Sequence, residues 1–222
     1  MTPYTIFANI KSEKTNTERK ITLLERYSRP EMKNIFSEKN KFQKWLDVEL
    51  AVVKARMQLG EVPKKAQQKI ENNAFFEVER IKEIEKKTRH DMLAFIEAVN
   101  ENLGDESKYI HEGITSNDIK DTGLALQLSE ALELVQSDLA KLKETIKKKA
   151  LLHKKTVMIG RTHGIHAEPI TFGLKLAVWY TEVKRHEKRL KQLEEIIKVG
   201  QISGAVGTYA TINPEVEKLV ME

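Results

Sequence analysis

The chain of 222 residues carries 38 Lys and Arg against 33 Asp and Glu, a net charge of +5, and its residues are 40% apolar and 6% aromatic. This balance permits a buried core, while the few aromatics and 5 prolines disfavour a sandwich of many short strands. No cysteine occurs, which excludes a disulfide framework and suits a reducing compartment. With no apolar run of membrane length and no secretory leader in residues 1–24, we expect a cytoplasmic protein without a membrane partner.

The first residues differ from the rest of the chain. Residues 1–24 show no sustained hydrophobic period, and we predict a poorly ordered extension. Arg26 and Tyr27 follow, ahead of a short turn at 28–31 that leads into one helical turn. A guanidinium beside a phenol suits phosphate binding. Such a pair is also common on protein surfaces without any binding role.

Hydrophobic periodicity predicts an amphipathic helix from 37 to about 59, where Gly60 ends the pattern. Two shorter helices are predicted at 64–73 and 78–87. His90 and Asp91 then stand at the start of a further helix, where an aspartate complements the helix dipole. His90 is also suited to capping that helix.

The run Thr115-Ser116-Asn117-Asp118 is typical of a helix N-terminus, which attracts carboxylates; an ordinary N-cap is the alternative. It opens a long apolar stripe that predicts a helix from 118 to about 155. About 36 helical residues span on the order of 50 Å, too far to bury the stripe in a small domain. We therefore expect a homo-oligomer in which this helix packs against partner subunits.

A second long helix is predicted from 171 to about 199, antiparallel to the first. Between the two, Gly160 and Gly164 permit a tight loop that presents His163, with Pro169 in the first turn of the following helix. A histidine there exchanges protons near neutral pH, although loop histidines also simply satisfy nearby carbonyls. A metal site at His163 and His166 lacks a third ligand, so we predict no metal and no cofactor.

Two basic or glycine-rich features give no nucleotide or nucleic-acid signature. The three glycines at 200–207 follow no predicted strand and do not fit a phosphate-binding P-loop, so we predict a close-packed turn. The lysines of the first long helix are typical of a solvated face, and aromatic residues interleaved with basic ones are missing. We therefore expect no nucleic-acid partner. Asn213-Pro214 begins a further helix.

Five segments, in this order, carry a resemblance to a known family: 26–32, 88–91, 108–122, 160–175 and 198–210. They are similar to adenylosuccinate lyases of the fumarase/aspartase superfamily. Within that superfamily, the motifs Thr-Ser-Asn-Asp-x-x-Asp-Thr at 115–122 and Arg-Thr-His-Gly-x-His-Ala-Glu-Pro at 161–169 favour this family over fumarase, aspartase or argininosuccinate lyase.

The resemblance implies an all-α fold, with an N-terminal helical domain at 25–112 followed at 113–222 by part of a long-helix bundle of the fumarase/aspartase type. It also implies a homotetramer with a small-molecule nucleotide substrate. The implied reaction eliminates fumarate from adenylosuccinate, giving AMP, and from the succinyl-aminoimidazole carboxamide ribotide intermediate of purine biosynthesis.

The resemblance also assigns roles to individual residues. His163 is implied to be the general acid, and Thr115 and Ser116 to bind the carboxylates of the succinyl group. The other implied substrate-binding residues are Arg26 and Tyr27 at the nucleotide, His90 with its neighbours Arg89 and Asp91 in the cleft, and His111 near the succinyl group. Two positions depart from the family: Glu112 replaces a usual aromatic residue and Lys120 a common apolar one.

The family's general base is a serine on a flexible loop rich in Ser, Met, Pro, Lys and Asn, and the 222 residues contain no such loop. We expect the chain to correspond to the N-terminal part of the enzyme and to release no fumarate by itself, because catalytic groups that act as a unit are strongly non-additive. Two alternatives remain: another lyase of the superfamily, such as one acting on argininosuccinate, or a non-enzymatic helical oligomerisation module with incidental histidines.

Overall fold

The computed structural model describes residues 27–222, so the predicted extension and Arg26 lie outside the described residues. Helices dominate this part of the chain, with one short hairpin between the two longest. In chain order the elements are α1 (Pro30–Ile35), α2 (Glu38–Gln58), α3 (Lys64–Asn73), α4 (Val78–Thr88), α5 (Asp91–Asn100), a 3-10 helix (Gly104–Tyr109), α6 (Ser116–Leu152), β1 (Val157–Thr162), β2 (Ile165–Thr171), α7 (Phe172–Ile197) and α8 (Pro214–Met221).

The helices begin and end close to the positions predicted from periodicity and capping residues. Ser37 caps α2 by accepting a hydrogen bond from the Asn40 N–H at 3.1 Å, and Gly60 follows α2 with a φ of 79°, a conformation that glycine adopts without a steric cost. Asn213 likewise caps α8 through the Glu215 N–H at 3.0 Å. The prediction of a helical fold is confirmed.

The main core surrounds α2. Phe42 stacks on Phe95 with ring centroids 5.9 Å apart, and Trp45 meets both rings edge-on, an arrangement that stabilises beyond its buried area. Ile119, at the start of α6, lies in the same core and is fully buried, as are further residues from the end of the chain. One core therefore spans both sides of the predicted boundary at 112/113, and the division into two domains stays a prediction.

Helices α6 and α7 pair antiparallel, as predicted. Lys143 donates a hydrogen bond to Glu187 at 2.6 Å, and Gln136 donates one to Glu194 at 3.4 Å. The later residue of α6 therefore lies opposite the earlier residue of α7. Only a small core lies between them, and many apolar side chains on the two helices remain exposed. The exposed ones are Leu124, Leu126, Leu128, Val135, Leu142, Leu151, Leu152, Leu174, Val178, Trp179, Leu193 and Ile196.

The segment around His163 is a β-hairpin rather than a loop joined directly to a helix. Strands β1 and β2 pair antiparallel from Val157 opposite Thr171 to Thr162 opposite Ile165. His163 and the following glycine form the two-residue turn, with φ of 50° and 75°, which is the type I′ geometry that matches strand twist.

The expectation that Pro169 lies in the first turn of α7 is wrong. Pro169 pairs with Ile159 in β2, where a two-stranded sheet tolerates proline because both strands are edges. α7 begins only at Phe172, capped by Thr171, whose hydroxyl accepts the Leu174 N–H at 3.1 Å. The prediction followed the preference of proline for first turns of helices, but pairing with β1 overrides that preference.

Gly160 permits a bulge in this hairpin. The pairing register shifts between Ile159 and Arg161, and a Cβ at Gly160 would stand 2.6 Å from the Glu168 carbonyl oxygen. Any other residue would push the strands apart, so glycine is needed for close approach rather than for unusual φ.

Candidate active site

Three of the five family-like segments meet at the N-terminus of α6. Segment 88–91 reaches it through Asp91, which accepts a hydrogen bond from Lys120 with 2.8 Å between Oδ1 and Nζ. Segment 198–210 reaches it through Asp118. We call His90, Asp91, His111, Thr115 and Ser116 the α6 N-terminal cluster, because segments 88–91 and 108–122 carry these predicted site residues to one end of the helix.

Asp118 anchors the turn that follows α7. Its carboxylate is fully buried and accepts the N–H of Thr115 at 2.9 Å, of Ser203 at 3.1 Å and of Gly204 at 3.0 Å. One side chain thus closes the capping box of α6 and satisfies two buried backbone donors of the glycine-rich turn. The turn predicted at these glycines is present. Asp118 holds this turn beside Thr115, because the one carboxylate bonds to both.

His90 caps α5. Its Nδ1 accepts the Leu93 N–H at 3.1 Å, so the capping role left open by the sequence is real. This bond leaves Nε2 as the hydrogen-bearing nitrogen when the ring is neutral. The preceding Arg89 has a φ of 56° at the end of α4, and both Arg89 and His90 are exposed, so their side chains are accessible to a ligand.

The charge of Asp91 is stabilised by its neighbours. Burial acts to raise the pKa of this carboxyl, but the hydrogen bond and charge of Lys120, together with the N–H of Met92, lower the pKa below its ordinary value. Asp91 is therefore a carboxylate at neutral pH, and it faces an ammonium rather than another acid.

His111 is held by a buried glutamate, Glu49, which is not among the residues predicted for the site. The backbone N–H of His111 donates to Glu49 Oε2 at 3.0 Å, and its ring Nδ1 lies 2.6 Å from Glu49 Oε1. Glu49 is only 1% exposed, and His111 has a φ of 59°. A signal was available, since Glu49 occupies the buried stripe of α2 that Phe42, Leu46 and Val53 define.

Glu112 and Lys120, the two residues expected to depart from the family pattern, each pair with a side chain of opposite charge. Glu112 accepts from Arg56 at 2.8 Å, and burial, which acts to lower the pKa of Arg56, is outweighed by its bonds to Glu112 and Glu61. Lys120 pairs with Asp91 as described. Neither residue is left as an unpaired charge beside the cluster.

Tyr27 lies elsewhere along α6. It is 75% exposed and lies three residues before the start of α1, which packs against the middle of α6. Gln127 donates to the Ile35 carbonyl at 2.7 Å, and Arg29 forms an ion pair with Asp138. The predicted nucleotide-binding segment is therefore displaced toward the centre of the long helix.

His163 stands at the other end of α6 from the cluster. It is exposed at the turn of the hairpin that follows the C-terminus of α6. The 37 residues of α6 span about 55 Å. β1 starts beside the end of α6, because the Thr156 N–H donates to the His153 carbonyl at 3.1 Å, and its 6 residues reach back no more than about 20 Å. Within one protomer, tens of ångström therefore separate His163 from His111. In residues 27–222, no three His, Asp or Glu side chains group as metal ligands, and no helix has the length and apolar character to cross a bilayer.

The chain, whose long helices α6 and α7 run antiparallel, matches a known class of protein, the lyases. A family model described as "Lyase" matches residues 25–222, and the chain belongs to this lyase family. It is similar to the adenylosuccinate lyases of Aquifex aeolicus strain VF5, 52% identical over 203 residues, and of Bacillus subtilis strain 168, 52% identical over 200 residues. Each alignment covers 90% of this chain and 46% of the relative, so the chain spans about half the length of these relatives.

Solved structures share the fold. The fumarate lyase of Mesorhizobium sp. BNC1 superposes with a TM-score of 0.81 at 31% identity, over 85% of this chain and 46% of that one. The 3-carboxy-cis,cis-muconate lactonizing enzyme of Pseudomonas putida gives 0.82 at 33% identity, over 87% and 46%. These matches confirm the long-helix architecture predicted from the five segments.

Proposed function

We propose that the chain serves the adenylosuccinate lyase reaction, releasing fumarate from adenylosuccinate to give AMP and from the succinyl-aminoimidazole carboxamide ribotide intermediate of purine biosynthesis. The observation that carries the proposal is the 52% identity to two adenylosuccinate lyases. The family match over residues 25–222 includes all five segments.

In this elimination a proton leaves the carbon beside a carboxylate, the bond from the neighbouring carbon to nitrogen breaks, and the nitrogen takes up a proton. The electron pair of the C–H bond becomes the double bond of fumarate. His163 is proposed as the acid that protonates the nitrogen. Its exposure on a tight two-residue turn supports this role. The family resemblance gives the proton-abstracting role to a loop serine, for which we propose no residue of this chain.

The α6 N-terminal cluster is proposed to bind the succinyl group. Thr115 and Ser116 offer hydroxyl donors at the positive end of the α6 dipole, which favours carboxylates. His111 and His90 lie at the same end of the helix. Arg89 and Asp91 flank His90 there.

The nucleotide is proposed to contact Arg26 and Tyr27, through charge-assisted and phenolic hydrogen bonds to its phosphate. Arg26 lies outside the described residues, so this role stands on the family resemblance. The proposed partner is thus a small-molecule nucleotide, with no nucleic acid, membrane, metal or cofactor, and the proposed compartment is the cytoplasm.

The separation of His163 from the cluster leads us to propose that each site takes groups from different copies of the chain in a homotetramer. The exposed apolar side chains of α6 and α7 support this assembly, because such patches on a monomer mark interaction surfaces. A bundle of these helices brings the hairpin of one copy to the α6 N-terminus of another.

The test is a chimera in which residues 25–222 replace the matching part of the Bacillus subtilis adenylosuccinate lyase. Fumarate release is followed with adenylosuccinate and, separately, with argininosuccinate, and the unaltered Bacillus enzyme is the control. We expect turnover of adenylosuccinate on the order of one per second or faster and none of argininosuccinate. The reverse preference would favour another lyase of the superfamily. A folded oligomer inactive on both would favour the non-enzymatic module.

A further inference from the structure

Glu49 is an ionisable side chain in an apolar core. It lies on α2, is 1% exposed, and both of its oxygens are bonded to the same residue, His111. A buried carboxylate without partners is costly, and here a backbone N–H and a ring nitrogen supply them. The arrangement also secures His111 in a left-handed backbone conformation, with a φ of 59°, which is unfavourable for most residues.

The geometry points to Glu49 as a positioning residue that fixes the tautomer of His111. A carboxylate only accepts hydrogen bonds, so the 2.6 Å contact requires the hydrogen on Nδ1. Nε2 is then the nitrogen left for the substrate, and no described residue gives it a hydrogen bond. When the ring is neutral, Nε2 is an acceptor, and when the ring is charged, Nε2 is a donor. The consequence for substrate binding rests on the proposed function.

The substitution Glu49→Gln reverses the tautomer with almost no change in shape. The His111 backbone N–H can only donate, so the amide oxygen of the new side chain must face it. The amide NH₂ then faces Nδ1, which has to accept and therefore lose its hydrogen. Both hydrogen bonds survive, but the neutral ring carries its hydrogen on Nε2 and can no longer accept there.

Histidine ¹⁵N NMR of the full chain reads the tautomer directly, because protonated and unprotonated ring nitrogens resonate far apart. The chain has 6 histidines, and His111→Asn identifies the signals of His111. We expect Nδ1–H in the wild type and Nε2–H in Glu49→Gln. A wild-type His111 with hydrogen on Nε2 overturns the assignment, whether or not Glu49→Gln folds.

The chimera described above supplies the activity readout. We expect Glu49→Gln to lower kcat/KM for adenylosuccinate about tenfold or more, as loss of a partner that orients a functional histidine does. In a His111→Asn background the same change is expected to have no further effect, because its influence passes through the imidazole; asparagine tolerates the left-handed backbone. Glu71→Gln is the matched control, since Glu71 is exposed on α3.

Different results would contradict the role of Glu49 and the proposed lyase function. A reversed tautomer with unchanged kcat/KM would overturn the role of Glu49 in the site, as would an equal loss in the His111→Asn background. A wild-type chimera that releases no fumarate would overturn the proposed function, whereas the NMR spectrum still decides whether Glu49 sets the tautomer.

Discussion

Lys120 donates a hydrogen bond to Asp91 across 2.8 Å and so ties the N-terminus of α6 to the N-terminus of α5. Its ammonium also lies 5.7 Å from the centroid of the Trp45 ring, within range of a cation–π attraction. The family resemblance leads us to expect an apolar residue at position 120, whereas Lys120 contributes a charged contact there. The pair links two segments that carry proposed substrate-binding residues.

Replacing Lys120 with methionine is expected to destabilise the protein in a pH-dependent way. The pKa of Asp91 lies below its ordinary value of 3.8 in the folded protein, so its contribution is complete above that pH and is lost as the pH falls through the folded pKa. Since both side chains are about one-third exposed, solvent screening limits the loss at neutral pH to about 0.5–1 kcal/mol.

Urea unfolding of the wild type and Lys120→Met between neutral pH and acid measures this difference. Lys65→Met is the matched control, because Lys65 is exposed on α3 and its loss changes the net charge equally. The free energies of unfolding of the wild type and Lys120→Met should start to converge as the pH falls below 3.8 and should meet once Asp91 is protonated in the folded protein. Lys65→Met should show no such convergence. A gap that stays constant into acid would mean that Lys120 acts by packing rather than by its charge.

Asp118→Asn is expected to destabilise far more. Three backbone N–H groups face the Asp118 carboxylate, and an asparagine amide has one acceptor oxygen, so at least one buried donor loses its partner. The expected loss in the free energy of unfolding is roughly 2–4 kcal/mol, measured by chemical denaturation. Asp121→Asn on the exposed face of α6 should change it little. Equal effects of the two changes would deny Asp118 its anchoring role.

His163→Asn separates chemistry from folding. Asn-Gly is the favoured pair for a type I′ turn, so the hairpin should form at least as well as with His163 and the free energy of unfolding should not fall. Removal of a general acid should nevertheless lower kcat of the chimera roughly a hundredfold or more. Exposed His186 on α7 gives the control, His186→Asn, which should keep the rate. Full activity of His163→Asn would assign the acid elsewhere.

Much of the helical fold could be predicted because an apolar period coincides with a capping residue in helices such as α2 and α8. Ser37 and Asn213 are residue types that favour the N-cap position of a helix. The apolar stripe of α6 is too long to predict anything but a helix. The hairpin is not predicted because the glycines, histidines and proline of 160–169 favour a loop that leads into a helix. The β-branched residues Val157, Ile159 and Thr171, which flank the two-residue turn, favour strands and were the signal for it.

The candidate site could be predicted residue by residue but not as an arrangement. Motifs indicated His111 and Thr115, yet the contact between His111 and Glu49 joins positions 62 residues apart, and sequence spacing does not encode such pairs. The distance from His163 to the cluster also follows only from the unbroken length of α6. Arg26 lies outside the described residues, and its role stays a prediction.

The central claim is that one site combines the hairpin of one copy with the α6 N-terminus of another. The direct measurement mixes two chimera variants, His163→Asn and His111→Asn, which should each be nearly inactive, after denaturation and joint refolding, and follows fumarate release from adenylosuccinate. The account predicts that activity returns in the mixture, because mixed oligomers contain some sites with both histidines intact. Mixed oligomers that form but stay as inactive as their parents would contradict it.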